Sequence, residues 1–273
     1  MKSDYSKGLH ALLRKKLIHR DMRVLAACGA NHDRDVLLEA GFKNVTISNL
    51  DTRLKATDFA PFSWSLQDTE NLTFEDGEFD FCIVHDGLHH CQSPHRALLE
   101  LYRVAKTGLL AFEPRDSLIA RIGVKFNFGQ EYEVGAVFDH NSTFGGMRNT
   151  AVPNFVYRWT EREIEKTICS NAPWGRHRFI YFYYFRQDWT RFRMLKNKLW
   201  YLLMLPGFPL LKTMNRVFPR QTNVFGFAVF KPDPSCDLQP WMKRSGGEIA
   251  VNPEWFSSRY RKNESKPDTP VRQ

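Results

Sequence analysis

Side chains able to do acid–base chemistry are concentrated where an apolar run ends, at His85, His89 and His90. Residues 79–84 before them are almost all apolar, which predicts a buried strand. Imidazole titrates near neutral pH, so His85 or His89 could take a proton from a hydroxyl substrate. Histidines four residues apart can also share a metal on one helix face, but Gly87 and the end of the strand argue against a helix here. We therefore predict a general base, a packing role for His90 and no metal.

The residues on either side predict the elements that position this cluster. After the strand at 79–85, an amphipathic helix is predicted over 94–105 and a second apolar strand over 109–113. A strand–helix–strand unit of this kind implies a parallel sheet with helices packed on its faces. Ligands of open α/β sheets bind at the carboxyl ends of the strands, where His85 and Asp86 fall.

The same alternation extends along the chain. Strands are predicted over 22–28, 43–48, 179–185 and 223–230, and helices over 5–18, over 35–40 (capped by Asn31 or Asp33) and from Thr160, with Glu163 completing a capping box. This order predicts an α/β fold with a doubly wound, mostly parallel sheet whose last strand is antiparallel. We expect an N-terminal helix in residues 1–20, the main domain in 21–232, a substrate or lid loop at 115–157, a basic-aromatic insertion at 188–221 and a polar tail at 233–273.

Three motifs of the central segment belong together. They are L-x-F-x-D-G-x-F-D at 72–80, L-H-H at 88–90 and P-x-x-A-L-x-E-x-x-R-V-x-K-x-G at 94–108. Their wording and order resemble those of class I S-adenosylmethionine-dependent methyltransferases, of the type 11 kind. The resemblance covers residues 23–114 well and the rest poorly. It implies a Rossmann-like sheet of seven strands, S-adenosylmethionine as cofactor and methyl transfer as the reaction.

The resemblance implies a cofactor-binding turn after the first strand. The family has a glycine-rich turn there, and its place is taken by Ala27, Cys28, Gly29 and Asn31. Only Cys28-Gly29 keeps the family pattern, and the acid that the family has in the first strand has no counterpart. Alanine is small and asparagine tolerates positive φ, so the turn is still expected to form.

Further cofactor contacts are implied after the second strand and before the fourth. Asn49 stands where the family binds the ribose hydroxyls, with Asp51 as the alternative. Asp68 matches the acid beside the adenine amino group, although such a residue can also cap its own turn. The implied set is completed by Thr69, His85 and Asp86.

Acceptor contacts are expected near the ends of the strands and in the 115–157 loop. The candidates are Glu113, Tyr132, His140, Arg148, Asn149 and Arg158. Aromatic and hydrogen-bonding residues suit a sugar or another polyhydroxylated molecule, and they equally suit a folded lid without specific contacts. Between Asp188 and Asp233 the chain has basic and aromatic residues and no acid. That segment suits an anionic membrane surface, nucleic acid, a phosphorylated substrate or simply a solvated face.

Composition limits the remaining choices. The 273 residues carry a formal charge of +9, and the five cysteines are scattered without a C-x-x-C pair, which favours free thiols. The first residues lack the apolar core of a secretory signal, so we expect a cytoplasmic protein, with peripheral contact at the inner membrane face as an option. The predicted function is O-methylation of a sugar or of a polysaccharide or lipid-linked precursor. A non-catalytic binding protein of the same fold and an RNA methyltransferase are the alternatives, nucleic acid being the less expected partner.

Overall fold

A mixed sheet of seven strands forms the centre of the protein. The computed structural model describes residues 3–186, 199, 202 and 206–260. In spatial order the strands are β3 (Ser63–Leu66), β2 (Asn44–Asn49), β1 (Arg23–Ala27), β4 (Phe79–His85), β5 (Ala105–Pro114), β7 (Val224–Phe230) and β6 (Arg178–Tyr184). Strands β1 to β5 pair in parallel, and β7 is antiparallel to both β5 and β6. The predicted doubly wound sheet with an antiparallel last strand is confirmed.

Helices cover both faces of this sheet. One face carries α1 (Asp4–Arg14) and α2 (Asn31–Ala40), and the other carries α3 (Pro94–Val104) and α6 (Glu161–Asn171). The remaining described elements are α4 (Leu118–Lys125), α5 (Val134–Asp139), α7 (Gly207–Val217), the hairpin β8 (Met242–Ser245) and β9 (Glu248–Val251), and α8 (Pro253–Ser257). The capping box of α6 is confirmed, since the Thr160 side chain accepts from the Glu163 amide and the Glu163 carboxylate accepts from the Thr160 amide. No helix of the described part is long and apolar enough to cross a membrane.

The alternation of side chains in β4 explains why the sheet is buried on both faces. Phe81 and Ile83 pack with the residues of α1 and α2, whereas Cys82 and Val84 pack with those of α3 and α6. All four side chains are essentially inaccessible to solvent. Burying an aliphatic or aromatic side chain of this size contributes about 1.5–3 kcal/mol. The two apolar layers therefore fix the carboxyl ends of β1, β4 and β5 as one rigid edge.

Several elements differ from the prediction. Strand β3 has the sequence SWSL and lies at the sheet edge with no fully buried residue, so it lacks the apolar signal of a core strand. Residues 115–157 were predicted as loop but contain the helices α4 and α5. The sequence does not show these helices because Gly123 and Gly135 interrupt their apolar residues. Of the predicted insertion at 188–221, residues 188–198, 200, 201 and 203–205 lie outside the described residues, and Gly207–Val217 forms α7.

Candidate active site

The turn after β1 has the backbone shape that close approach of a ligand requires. Cys28 has φ of 53°, and the Gly29 amide donates to the Ser48 carbonyl at 2.8 Å. A Cβ on Gly29 would lie 2.7 Å from Cγ2 of Ile47, so only glycine fits without displacing β2. The positive φ falls on Cys28 and not on Asn31, which is the first residue of α2. The thinned family motif therefore still makes a tight strand-to-helix turn.

Asp33 is a site residue that sequence reasoning treated only as a helix cap. Its Oδ2 atom accepts from the Ala30 amide at 2.9 Å at the start of α2, and the residue is buried. Burial raises the pKa of Asp33 to about 7, the two backbone hydrogen bonds oppose this, and the charge of Asp86 adds to it. A carboxylate at the first turn of a helix is common in sequences. Only its burial beside the crevice distinguishes Asp33, and the sequence does not show that.

The ends of β1 and β4 meet at the point where the strand order reverses. A Cβ on Gly87 would lie 2.5 Å from Cβ of Cys28, so these two turns pack directly against each other. Asp86 has φ of 49° and forms an ion pair with Arg186 at 2.6 Å. Although burial opposes its ionisation, Arg186 and His85 hold the pKa of Asp86 well below its usual range. The crevice thus contains a carboxylate that stays charged.

His85 lies beside Asp86 with an imidazole suited to accept a proton. Its ring stacks on Tyr5 with centroids 4.9 Å apart, and its Nε2 lies 3.5 Å from Oδ2 of Asp86. Burial lowers the pKa of His85, and the neighbouring Asp86 offsets this only in part. The ring is therefore neutral at neutral pH, the form that acts as a base.

The predicted ribose residues lie at the end of β2 and at the wall of a cavity. The Asn49 side chain donates to the Gly29 carbonyl and accepts from the Asp51 amide, both at 3.0 Å, so it braces the glycine turn. Asp51 forms a bidentate ion pair with Arg53. It also lines a cavity of about 470 Å³, whose other walls are Leu50, Thr52, Arg53, Thr143, Phe144, Arg148 and Asn149. Of the two ribose candidates, Asp51 is the one that faces open space.

Asp68 and Thr69 are brought to the same crevice from the loop before β4. The Thr69 hydroxyl lies 3.2 Å from Sγ of Cys28. One oxygen of Asp68 accepts from the Glu70 amide, which is the turn-capping contact predicted as the alternative. The other oxygen accepts from Arg148 at 2.8 Å. Arg148 comes from the 115–157 segment and has φ of 50°. A residue predicted for the acceptor thus contacts one predicted for adenine.

His89 is held by two glutamates. Its Nδ1 lies 2.6 Å from Oε2 of Glu113, whose other oxygen accepts from the amides of Gly87 and Leu88. Burial favours the neutral ring, but Glu113 and Glu133 outweigh it and raise the pKa of His89 to about 10. At neutral pH His89 keeps its proton, which disfavours it as the base. Glu113 is fully buried and uses both oxygens internally, so it supports the site from behind.

The other predicted acceptor residues are spread over the lid segment. Tyr132 is exposed and packs edge-on against Phe155, while the ring of His140 packs on Phe144. The Asn149 side chain lies 3.4 Å from the Arg53 guanidinium. Arg158 donates to the carbonyls of Gln130 and Val156, and burial lowers its pKa. Only Arg148 and Asn149 of this set join the residues predicted for the cofactor.

Fold and site together define an α/β protein with a crevice at the carboxyl ends of β1, β2 and β4, where Asp33, Asp51, Asp68 and Asp86 lie. Residues 24–112 match the family described as Methyltransferase domain. A candidate methyltransferase of Bacillus halodurans C-125 superposes with a TM-score of 0.51 at 15% identity, over 83% of this chain and 100% of that one. The YcgJ protein of Bacillus subtilis gives a TM-score of 0.51 at 12% identity, over 85% and 100% of the two chains. The structural likeness shows the fold, and the family match shows the domain. Residues 24–112 are therefore similar to a methyltransferase domain, and the sheet around them has the fold of these two structures.

Proposed function

We propose that the enzyme methylates a hydroxyl group of a sugar-containing acceptor that is anchored in a membrane by a lipid. The observation that carries the lipid-linked part is an apolar and basic surface beside the crevice. It is formed by α4, by α7 and by the residue that follows each helix. It is defined by exposed side chains, namely Leu118, Ile122, Phe126, Leu210, Val217 and Phe218. We call this the α4–α7 surface.

The α4–α7 surface has the features of an interfacial membrane contact. Leu118, Ile122 and Phe126 follow each other at intervals of four residues, which places them along one side of α4. Arg121 and Lys125 of the same helix are exposed as well, and their positive charges would attract anionic lipid head groups. The Leu118 amide donates to the Gln221 side chain at 3.1 Å, which holds the start of α4 against the segment that follows α7. A folded protein seldom leaves such a row uncovered without a partner.

This surface lies at the same edge of the sheet as the crevice. Helix α4 follows the carboxyl end of β5, and Pro114 at that end pairs with Val224 at the start of β7. His85 ends the neighbouring strand β4, where it pairs with Phe112. An enzyme resting on a membrane through α4 and α7 would therefore turn its crevice toward head groups at the bilayer surface.

The crevice residues suit the proposed cofactor contacts. S-adenosylmethionine carries a sulfonium and an ammonium charge. The buried carboxylate of Asp33 and the partly exposed one of Asp86, which also pairs with Arg186, offer compensating charge. The Cys28-Gly29 turn exposes backbone close to the start of α2. We assign the ribose hydroxyls to Asp51 and the adenine amino group to Asp68, which requires Arg148 to give up one oxygen of that carboxylate.

His85 is the proposed general base. Bound S-adenosylmethionine would supply an activated methyl group, with the neutral sulfide as the leaving group. The acceptor hydroxyl proton goes to the neutral imidazole of His85, and the charge that develops there is stabilised by Asp86, 3.5 Å away. Alignment of the two reactants in the crevice provides the larger part of the rate enhancement.

The experiment is a methyl-transfer assay with S-adenosylmethionine labelled in the methyl group. The full-length enzyme is incubated with membrane lipid extract of its source organism, or with the soluble nucleotide sugars of the same cells. We expect label in the lipid fraction and, with His85→Gln, a fall of about 10²–10⁴-fold in turnover with cofactor affinity unchanged. The matched control His19→Gln changes an exposed histidine outside the site. Label appearing only in soluble products, or equal turnover in His85→Gln, would contradict the proposal.

A further inference from the structure

Two histidines and a glutamate converge at the lid side of the crevice. His89 and His90 come from the turn after β4, and Glu133 immediately precedes α5 in the lid segment. Ligand atoms of the three residues lie within 4.8 Å of one another. The Nε2 atoms of both histidines are each 3.4 Å from the same oxygen, Oε2 of Glu133. We propose that His89, His90 and Glu133 bind a divalent transition-metal cation of the zinc type.

The spacing of these atoms fits tetrahedral coordination. Metal–ligand distances of about 2.0–2.1 Å at nitrogen and oxygen place neighbouring tetrahedral ligands about 3.3–3.4 Å apart. Both nitrogen–oxygen distances in the cluster have that length. Octahedral coordination at the same metal–ligand distance needs neighbours about 3 Å apart, and a calcium site uses oxygen ligands. Two imidazoles and one carboxylate are donors that suit zinc, whereas calcium and magnesium sites are built mainly from oxygen ligands.

Two of the three ligands, His89 and Glu133, are held from behind by a second group. Nδ1 of His89 donates to Glu113 at 2.6 Å, so Nε2 is the atom that would coordinate, and the cation would displace the proton that this ring otherwise keeps at neutral pH. The Asn154 side chain donates to Oε2 of Glu133 at 3.2 Å and to the His89 carbonyl at 3.0 Å. Second-shell partners of this kind fix ring orientation and are a regular part of metal sites.

A fourth ligand position would stay open for water or substrate, because three protein ligands do not complete a tetrahedron. Asn154 contributes an independent observation. Its Oδ1 atom is buried and has no hydrogen-bond partner among the described residues. A water bound to the metal could donate a hydrogen bond to this oxygen. The two carboxylates of Glu113 and Glu133 balance the charge of a divalent cation. The cation would then be neutralised by the residues around it.

The position of Glu133 gives the cation a structural consequence. His89 and His90 belong to the rigid edge of the sheet, whereas Glu133 belongs to the lid segment. A cation shared between them would tie the lid to the crevice wall. The sequence shows only histidines that would need one helix face to share a metal. The third ligand, Glu133, lies more than forty residues further along the chain, so residue spacing does not indicate it.

The test is calorimetric titration of the chelator-treated full-length protein with ZnCl₂, followed by Co²⁺ absorption spectroscopy. We expect one site per chain and a tetrahedral Co²⁺ spectrum. His90→Gln and Glu133→Gln should each weaken zinc binding at least about tenfold, and Glu113→Gln about 10–100-fold through the second shell. His19→Gln, at an exposed histidine, should leave it unchanged.

Absence of a one-to-one site, an octahedral Co²⁺ spectrum, or equal affinity in His90→Gln and Glu133→Gln would overturn the proposal. His90 is only half buried, so His90→Gln supplies the test if Glu133→Gln unfolds. Titration with S-adenosylmethionine, carried out with and without zinc, reports separately on the cofactor crevice. Failure of the metal site and failure of the proposed methyl transfer are therefore distinguishable.

Discussion

Asp33→Asn should make the protein more stable above neutral pH and weaken cofactor binding at the same time. The amide keeps an oxygen that can accept from the Ala30 amide, so the start of α2 retains its hydrogen bond. The substitution also removes a buried carboxyl group whose pKa is raised from 3.8 to about 7, so nothing ionises at this position. An acid that holds its proton to that pH in the folded state lowers stability at high pH by roughly 4 kcal/mol.

The sign follows from the protons bound in each state. Between about pH 4 and pH 7 the unfolded chain has released the Asp33 proton and the folded chain still holds it. Stability contributed by this group therefore falls as the pH rises through that interval and stays low above it. Asp33→Asn lacks this slope. We expect wild-type and variant to have similar free energies of unfolding at pH 4, and the variant to be more stable by up to roughly 4 kcal/mol at pH 8.

Cofactor affinity should move in the opposite direction. If the Asp33 carboxylate compensates the positive charge of S-adenosylmethionine, its loss removes a charge-assisted interaction of about 1.5–3 kcal/mol, or roughly 10–100-fold in affinity. Urea denaturation at pH 4, 6 and 8 and calorimetric titration at pH 8 measure the two effects. Asp35→Asn, at an exposed acid of the same helix, is the matched control and should show neither. A variant that is less stable than wild type at pH 8, with an unchanged pH slope, would refute the reasoning.

Three further changes test other parts of the account. Gly87→Ala places a Cβ against the cofactor turn, and we expect a loss of about 1–3 kcal/mol in urea denaturation; full stability would show that the two turns are not in contact. Arg148→Gln removes partly exposed ion pairs, so the free energy of unfolding should change by less than about 1 kcal/mol. S-adenosylmethionine should associate faster in stopped-flow measurements, because Arg148 no longer occupies Asp68. Slower association would show that Arg148 assists the cofactor. Ile122→Glu should reduce co-sedimentation with anionic vesicles, whereas Leu38→Glu on α2 should not; equal losses would rule out a specific role for the α4–α7 surface.

The central unit was predictable because its signals are local. Strand β4 is an unbroken apolar run, and α3 opens with Pro94 and shows helical spacing, so both were predicted to within one residue. Strand β3 was not predicted because an edge strand of serines with one tryptophan carries no apolar period. Helix α2 begins at Asn31, four residues earlier than predicted, because the backbone turn at Cys28 and the Asp33 side chain start it without an apolar residue.

The site was predictable only where one short segment contains its residues. The polar ends of β1, β2 and β4 follow from strand order, since parallel strands end at one edge. The partners of those residues come from distant parts of the chain. Glu133 meets His89 and His90, Arg148 meets Asp68, and Arg186 meets Asp86. Such pairings depend on how the lid and the residues after β6 fold back over the sheet, and neither residue spacing nor family resemblance specifies them.

The most direct test of the account is calorimetric titration of the full-length protein with S-adenosylmethionine. The account predicts one site per chain with a micromolar dissociation constant. It also predicts roughly 10–100-fold weaker binding in Asp68→Asn, which removes the carboxylate that we assign to the adenine amino group. The control Asp76→Asn changes an exposed acid outside the crevice and should bind as wild type does. Absence of binding in the micromolar range, or equal affinity in Asp68→Asn, would contradict the assignment of this crevice as the cofactor site.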